Sequence, residues 1–228
     1  MRRPKRLPMD ELAPYLFEPA SREREGPEPE PPSTPVAPAP GSPIDWKQLF
    51  GNDRPVEIEV GSGKGAFLVA AAEANLDTNY LGIEIDRALQ LYVATRLAKR
   101  GLHNARVAST DARRLFHDRI AESSVRAVHV YFPDPWWKKR HHKRRVWTPA
   151  FAADCVRVLV PGGRLHVATD VAEYGEIIRE LLAAQPGLIQ LHAEEQTGPP
   201  TAEETLTNFE RKARQRGGAV YRAEYERR

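Results

Sequence analysis

Cysteine is almost missing from this sequence: Cys155 is the single thiol in 228 residues. One thiol excludes an intrachain disulfide and any cysteine-based zinc cage, and it points to a reducing, intracellular setting. Long apolar runs are missing as well. No stretch reaches the roughly 18 apolar residues that suggest a membrane helix, and the basic start MRRPKRLP leads into no apolar segment. A soluble, cytoplasmic protein is expected, with no membrane partner. A large excess of one charge is also lacking, since 34 Lys and Arg face 31 Asp and Glu for a net +3. The bulk balance therefore does not by itself announce a nucleic-acid partner. At this length the expectation is one sizeable core with some appended material, acting as a monomer or homodimer.

What is present is unevenly placed. Residues 1–43 hold 12 of the 20 prolines, and EPASREREGPEPEPPSTPVAPAPGSP has almost no large apolar side chain to bury. Such a segment does not offset its ordering entropy, so 1–43 is expected to be a disordered extension and 44–228 the folded domain. The opening MRRPKR is expected to be a solvated terminus, with a basic arm docking on phosphates as the alternative.

From Pro55 onward, short β-branched runs alternate with helical patterns. VEIEV (56–60), YLGIEI (80–85), ARVAS (105–109), RAVHVYF (126–132) and GRLHVAT (163–169) read as strands, and AVYRAEYE as a terminal one. Leu89, Val93 and Leu97 mark one helix, closed by a basic last turn and Gly101. A second starts at Thr148 before Pro149 and aligns Phe151, Cys155 and Leu159, which makes Cys155 a core residue. A third, from Val171, buries Ile177, Ile178, Leu181 and Leu182. The alternation predicts an α/β fold: an open, mainly parallel sheet with helices on both faces, whose ligands bind beyond the carboxyl ends of the strands.

The first strand runs into EVGSGKG, where Gly61, Gly63 and Gly65 allow a sharp turn and a close approach of backbone to ligand. A plain strand-to-helix turn is the alternative reading. Glu84 ends the second strand about twenty residues on, where a carboxylate takes ribose hydroxyls. Asp111 follows the third strand, placed to hold an adenine edge. Three successive strand ends thus imply an adenosine. The glycine spacing is G-x-G-x-G rather than the dinucleotide G-x-G-x-x-G. Glu59 just before the loop is badly placed for a pyrophosphate and well placed for an ammonium and a sulfonium. S-adenosylmethionine is favoured, and NAD is the alternative.

The fourth strand opens into YFPDPWWKKRHHKRR (131–145). Pro133 and Pro135 fix the backbone around Asp134, and rigidity is what positioning demands. Trp136 and Trp137 precede a cationic run interleaved with Trp147, the combination of charge and stacking surface that loop RNA requires. In the alternative reading Asp134 caps a turn, the tryptophans are core and the charges are a solvated face. His141 and His142 are adjacent and have no cysteine partner near, so no metal site is assigned.

EVGSGKG, GIEIDRA, YFPDPWWKKRHHKRR, VATD and TNFERKA…YRAEYE together resemble the bacterial tRNA (guanine-N7-)-methyltransferases over about residues 44–228. The resemblance implies a Rossmann-like class I methyltransferase with a seven-stranded sheet and an antiparallel terminal strand. It implies methyl transfer from S-adenosylmethionine to N7 of a guanine in the tRNA variable loop, position 46 in tRNA numbering. By the same match Glu59, Glu84, Asp111 and Asp134 would contact the cofactor, with Asp134 at the catalytic position. Lys138, Asp170, Thr207, Asn208, Phe209 and Glu210 would form the substrate side. Asn208 stands where the family more often has lysine, and Trp137 where it more often has proline. Lys139, Arg140, Lys143, Arg144 and Arg145 would meet tRNA phosphates. The competing readings are a methyltransferase of this fold acting on a protein or small molecule, a non-catalytic RNA-binding module, and, last, an NAD-dependent dehydrogenase.

Overall fold

The computed structural model describes residues 6–19, 42–197 and 218–228. Apolar residues alternate with others along the central strands, so each strand feeds two cores. Val56, Ile58 and Val60 of β2 (Val56–Val60) point to one face. In β3 (Asn79–Glu84), Leu81 and Ile83 join them, whereas Tyr80 faces the opposite side. Period-two alternation with both sets buried requires helices on both faces. One face is covered by α2 (Trp46–Phe50), α5 (Ala112–Arg119), α6 (Pro149–Val158) and α7 (Ala172–Ala183). The other is covered by α1 (Met9–Leu12), α3 (Ala66–Ala74) and α4 (Arg87–Ala98).

The remaining strands are β1 (Leu16–Phe17), β4 (Ala105–Ser109), β5 (Val125–Tyr131), β6 (Leu159–Thr169), β7 (Leu188–Gln196) and β8 (Val220–Arg227). They form one eight-stranded sheet in the order β1-β4-β3-β2-β5-β6-β8-β7, parallel from β1 to β6, with β8 antiparallel to both β6 and β7. The order reverses direction at β2, which puts β3 on one side and β5 on the other. Open α/β sheets bind ligands beside such a reversal.

The helix starts follow the capping rules. Asp45, Asp86, Asp111 and Thr148 each accept a backbone N–H of the first turn, which satisfies donors that the helix leaves free. Cys155 is fully buried between Phe151 and Val158, as its spacing predicts. Burial pushes its thiol well above the ordinary value, which keeps it protonated and unreactive.

Two expectations need correction. The N-terminal extension is not disordered throughout: Leu12, Tyr15, Leu16 and Phe17 are buried, and Leu16 and Phe17 pair with Val107 and Ala108. Four large apolar side chains within six residues are enough to offset local ordering, and the surrounding proline content obscures them. An ion pair from Arg87 to Glu18 closes this stretch. The sheet accordingly has eight strands rather than seven. Second, Leu159 opens β6 instead of continuing α6. A strand the sequence pattern does not show, β7, carries no buried residue and shows no apolar alternation, so only its pairing with β8 reveals it.

Candidate functional site

Parallel pairing in register brings the carboxyl ends of five strands to one rim. Val60 lies beside Ile83 and Val130, Glu84 beside Ser109, and Tyr131 beside Ala168. The glycine loop, the turn after Glu84, the start of α5 at Asp111, the Asp134 loop and Asp170 therefore leave the sheet side by side. Glu59, Gly61, Gly63, Gly65, Glu84, Asp111, Asp134 and Asp170 lie at or just after these strand ends, and Lys138 follows in the segment after β5.

The glycine loop turns back over the end of β3, with Gly61 and Ser62 N–H both donating to the Ile83 carbonyl (2.8 and 3.0 Å). Gly61, Gly63 and Gly65 have φ of 77°, 51° and 66°, a region costly for any residue with a Cβ. At Gly65, the residue before α3, an added Cβ would also lie 2.8 Å from Val93 Cγ1. Glu84 is pinned here: its carboxylate accepts the N–H of Gly63 (2.7 Å) and of Asp86 (3.1 Å). The loop is thus shaped by its own backbone and one buried acid.

Two carboxylates on one face of β2 have opposite surroundings. Glu57 accepts from Arg126 and lies 2.9 Å from His129 Nε2. Burial alone would raise its carboxyl, but these partners outweigh burial and hold it below the usual range. Glu59, two residues on, is 4% exposed, and its Oε2 has no hydrogen-bond partner. Burial pushes it up to about 8, against one backbone bond from Leu68 and with the Glu84 charge adding to the rise. A buried carboxylate oxygen without a donor is costly. The site therefore suits a ligand that supplies a donor or a positive charge at Glu59. S-adenosylmethionine, with its ammonium and sulfonium, fits this donor set; a pyrophosphate does not.

The loop after β5 is strained at both ends. Phe132 (φ 52°) and Trp136 (φ 45°) occupy the left-handed region, at a cost of about 1–3 kcal/mol each. The strain is held by specific bonds: Phe132 N–H donates to the Ala168 carbonyl (2.8 Å), and Arg145 Nε donates to the Pro135 carbonyl (2.7 Å). Between them, Asp134 is exposed, flanked by Pro133 and Pro135 in the loop that leaves the rim. Trp136 lies beneath the Arg144 guanidinium, 5.0 Å from its carbon to the ring centre, and Trp137 is 63% exposed.

Lys139–Arg144 form a short 3-10 helix with no buried residue. Lys138, Lys139, Arg140, Lys143 and Arg144 are exposed, in keeping with a phosphate-facing role. Arg145 differs. It is half-buried, bonded through Nε to the Pro135 carbonyl and stacked 5.0 Å over the Tyr174 ring, so its guanidinium braces the Asp134 loop. Trp147 also departs from expectation. It is 3% exposed and packs edge-on against Phe151 (5.5 Å between ring centres), which makes it core and not a stacking platform, because α6 begins immediately after it.

Asp111 caps α5 and is locked to Arg113 through Nε (3.2 Å) and Nη2 (2.7 Å). Burial would raise the Asp111 carboxyl, but the Arg113 bonds outweigh it and hold the group below the usual range. Sequence reasoning missed Arg113 and Tyr174. Arg113 had a signal, standing two residues after the capping acid, whereas Tyr174 had none. Thr207, Asn208, Phe209 and Glu210 lie outside the described residues. Among the described residues no group of three or more His, Cys, Asp or Glu could hold a metal ion, and no helix is long and apolar enough to cross a membrane.

A family model described as "Putative methyltransferase" matches residues 53–223. The chain is 44% identical over 191 residues to the tRNA (guanine-N(7)-)-methyltransferase of Rhodopirellula baltica, covering 81% of this chain and 70% of the relative. It is 37% identical over 195 residues to the tRNA (guanine-N(7)-)-methyltransferase of Alkalilimnicola ehrlichii, covering 84% of this chain and 80% of the relative. Among solved structures, the 16S rRNA methyltransferase KamB superposes with a TM-score of 0.61 at 17% identity, over 80% of this chain and 92% of that one. TrmN from Thermus thermophilus superposes with a TM-score of 0.56 at 18% identity, over 80% of this chain and 47% of that one. These two likenesses bear on the fold alone, and it is that of the class I methyltransferases. With identity of this level sustained over most of its length, the chain belongs to the tRNA (guanine-N(7)-)-methyltransferase family.

Proposed function

We propose that this protein moves the methyl group of S-adenosylmethionine to N7 of a guanine in the tRNA variable loop, position 46 in tRNA numbering, giving 7-methylguanosine. The observation that carries the reading is the pairing of β2 with β5, which sets Glu59, whose Oε2 has no hydrogen-bond partner, and its glycine loop beside the strained, proline-locked Asp134 loop. One loop takes the cofactor and the other takes the base.

Guanine N7 has an in-plane lone pair that is unprotonated at neutral pH, so no general base is needed to create the nucleophile. The work left to the protein is to align reacting atoms, exclude water and tolerate the positive charge that moves onto the purine. S-adenosylmethionine supplies the electrophilic methyl group when bound. Glu59 meets its positive end, Glu84 its ribose hydroxyls and Asp111 its adenine edge. Asp134, together with Asp170 or Glu210, accepts N1–H and N2–H from the donor edge of guanine and leaves N7 uncovered. An arginine fork on O6 and N7 would block the attacked atom. Lys138 orients Asp134 or touches O6, and Thr207, Asn208 and Phe209 complete the substrate side. Lys139, Arg140, Lys143 and Arg144 hold phosphates. A protein acting on tRNA in this way would work in the cytoplasm.

The reading is tested by incubating the protein with labelled S-adenosylmethionine and a tRNA transcript carrying guanine at position 46, then mapping 7-methylguanosine. Label at that guanine, lost when it is changed to adenine, is the expected result. Transfer to protein extract but not to tRNA would overturn it. A second expectation concerns the exposed cations. Replacing Lys139, Arg140, Lys143 and Arg144 with alanine should flatten the plot of log affinity for tRNA against log salt by about three to four units. An unchanged slope would place this segment away from RNA.

A further inference from the structure

The cationic 3-10 helix poses a mechanical problem. None of its six residues is buried, and the charges of Lys138, Lys139, Arg140, Lys143, Arg144 and Arg145 repel one another, so the contacts of Arg144 and His141 with Trp136 are left to hold an exposed, self-repelling segment. Among the described residues, Arg113 reaches it from the domain with hydrogen bonds. Its Nη1 donates to the main-chain carbonyls of Lys143 (2.9 Å) and Arg145 (3.4 Å), thirty residues away in the chain. The other edge of the same guanidinium grips both carboxylate oxygens of Asp111. A cation is tolerable among so many others only because Asp111 neutralises it.

We propose that Arg113 is a positioning residue that ties the adenine end of the cofactor site to the phosphate-binding segment, so that the carboxylate assigned to the cofactor and the backbone carrying the side chains assigned to tRNA are held by one planar group. The inference rests on the function proposed above. Arginine is required rather than charge alone, since a planar fork serves two acceptors on one side and a carboxylate on the other, whereas the ammonium of lysine is a single point. Arg113 itself is directed at protein carbonyls, so it adds nothing to the count of neutralised phosphates.

The test compares wild type with Arg113→Ala and Arg113→Lys. Calorimetry measures S-adenosylhomocysteine binding, filter binding measures tRNA affinity as a function of salt, and steady-state kinetics measures methyl transfer. In both variants the KM for tRNA should rise roughly tenfold, the scale of one lost charge-assisted hydrogen bond. The kcat should stay within about twofold and the salt slope should stay that of wild type. Cofactor binding should weaken severalfold as Asp111 loses its partner. Three outcomes would overturn the proposal: wild-type behaviour of Arg113→Lys, which reduces the role to charge; a salt slope lowered by about one unit, which makes Arg113 a phosphate contact; or unaltered affinities in Arg113→Ala. Should Arg113→Ala fail to fold, Arg113→Lys carries the test alone. If wild type itself methylates no tRNA, the functional reading fails, and the cofactor and RNA binding measurements still decide the strut.

Discussion

Replacing Asp134 with alanine should reduce single-turnover methyl transfer by at least on the order of a hundredfold while tRNA affinity stays within about twofold. The expectation follows from how the loop is built. Strain at Phe132 and Trp136 persists only because the surroundings over-determine it, and such strain is maintained where a side chain must point in one direction. Asp134 is exposed and supports no core, so its removal should leave the fold intact. The phosphate-facing cations are separate side chains and keep their affinity for RNA. Asp134→Asn sharpens the test, because it preserves shape but replaces one acceptor with a donor that opposes the N–H groups of guanine. Near-normal turnover in Asp134→Ala would remove this residue from the mechanism. Normal turnover in Asp134→Asn alone would limit its role to shape.

The affinity for S-adenosylmethionine should rise with pH up to about 8 and level off there, and Glu59→Gln should abolish that dependence. Burial pushes the Glu59 carboxyl up to about 8, so in the free protein it is protonated at neutral pH. A cationic ligand favours the ionised form, hence binding below pH 8 must release a proton. Each pH unit below that value costs up to about 1.4 kcal/mol, or a factor of ten in affinity. The sign for stability runs the other way. In the free protein the raised carboxyl contributes stability that is present below its unfolded value of 4.5 and is lost as pH rises through about 8. Calorimetry in two buffers of different ionisation enthalpy at pH 6.5 should report close to one proton released by wild type and none by Glu59→Gln. The glutamine variant should also bind roughly a hundredfold more weakly at pH 8, about 3 kcal/mol, through loss of a buried charge pair. A pH-independent wild-type affinity would separate Glu59 from the cofactor's positive end.

The strand ends were legible because they depend on neighbours in sequence. A β-branched run followed by glycines, or by an acid before a helix, is local chemistry, and Gly61, Gly63, Glu84 and Asp134 could be placed at one rim from chain order alone. Arg145 and Trp147 could not. Both stand in a run of cations and indoles, and composition assigns the whole run one role. The direction of each side chain, however, is set by contacts from elsewhere: Pro135 and Tyr174 claim Arg145, and the packing of Phe151 claims Trp147. The same holds for Leu12 to Phe17, whose burial depends on an open edge at β4 that the sequence does not advertise.

Residue order by itself therefore determined the alternating fold, the glycine loop, the row of acids at the strand ends and the family, since each rests on spacing within a few residues or on motif identity. Only the tertiary structure decided that Glu57 is satisfied while Oε2 of Glu59 is left without a donor. It alone divided the cationic run into an exposed set and a brace, and set the Arg113 guanidinium against the carbonyls of Lys143 and Arg145. The physical reason is that ionisation and side-chain direction depend on what surrounds a group in space, and residues dozens of positions apart supply those surroundings.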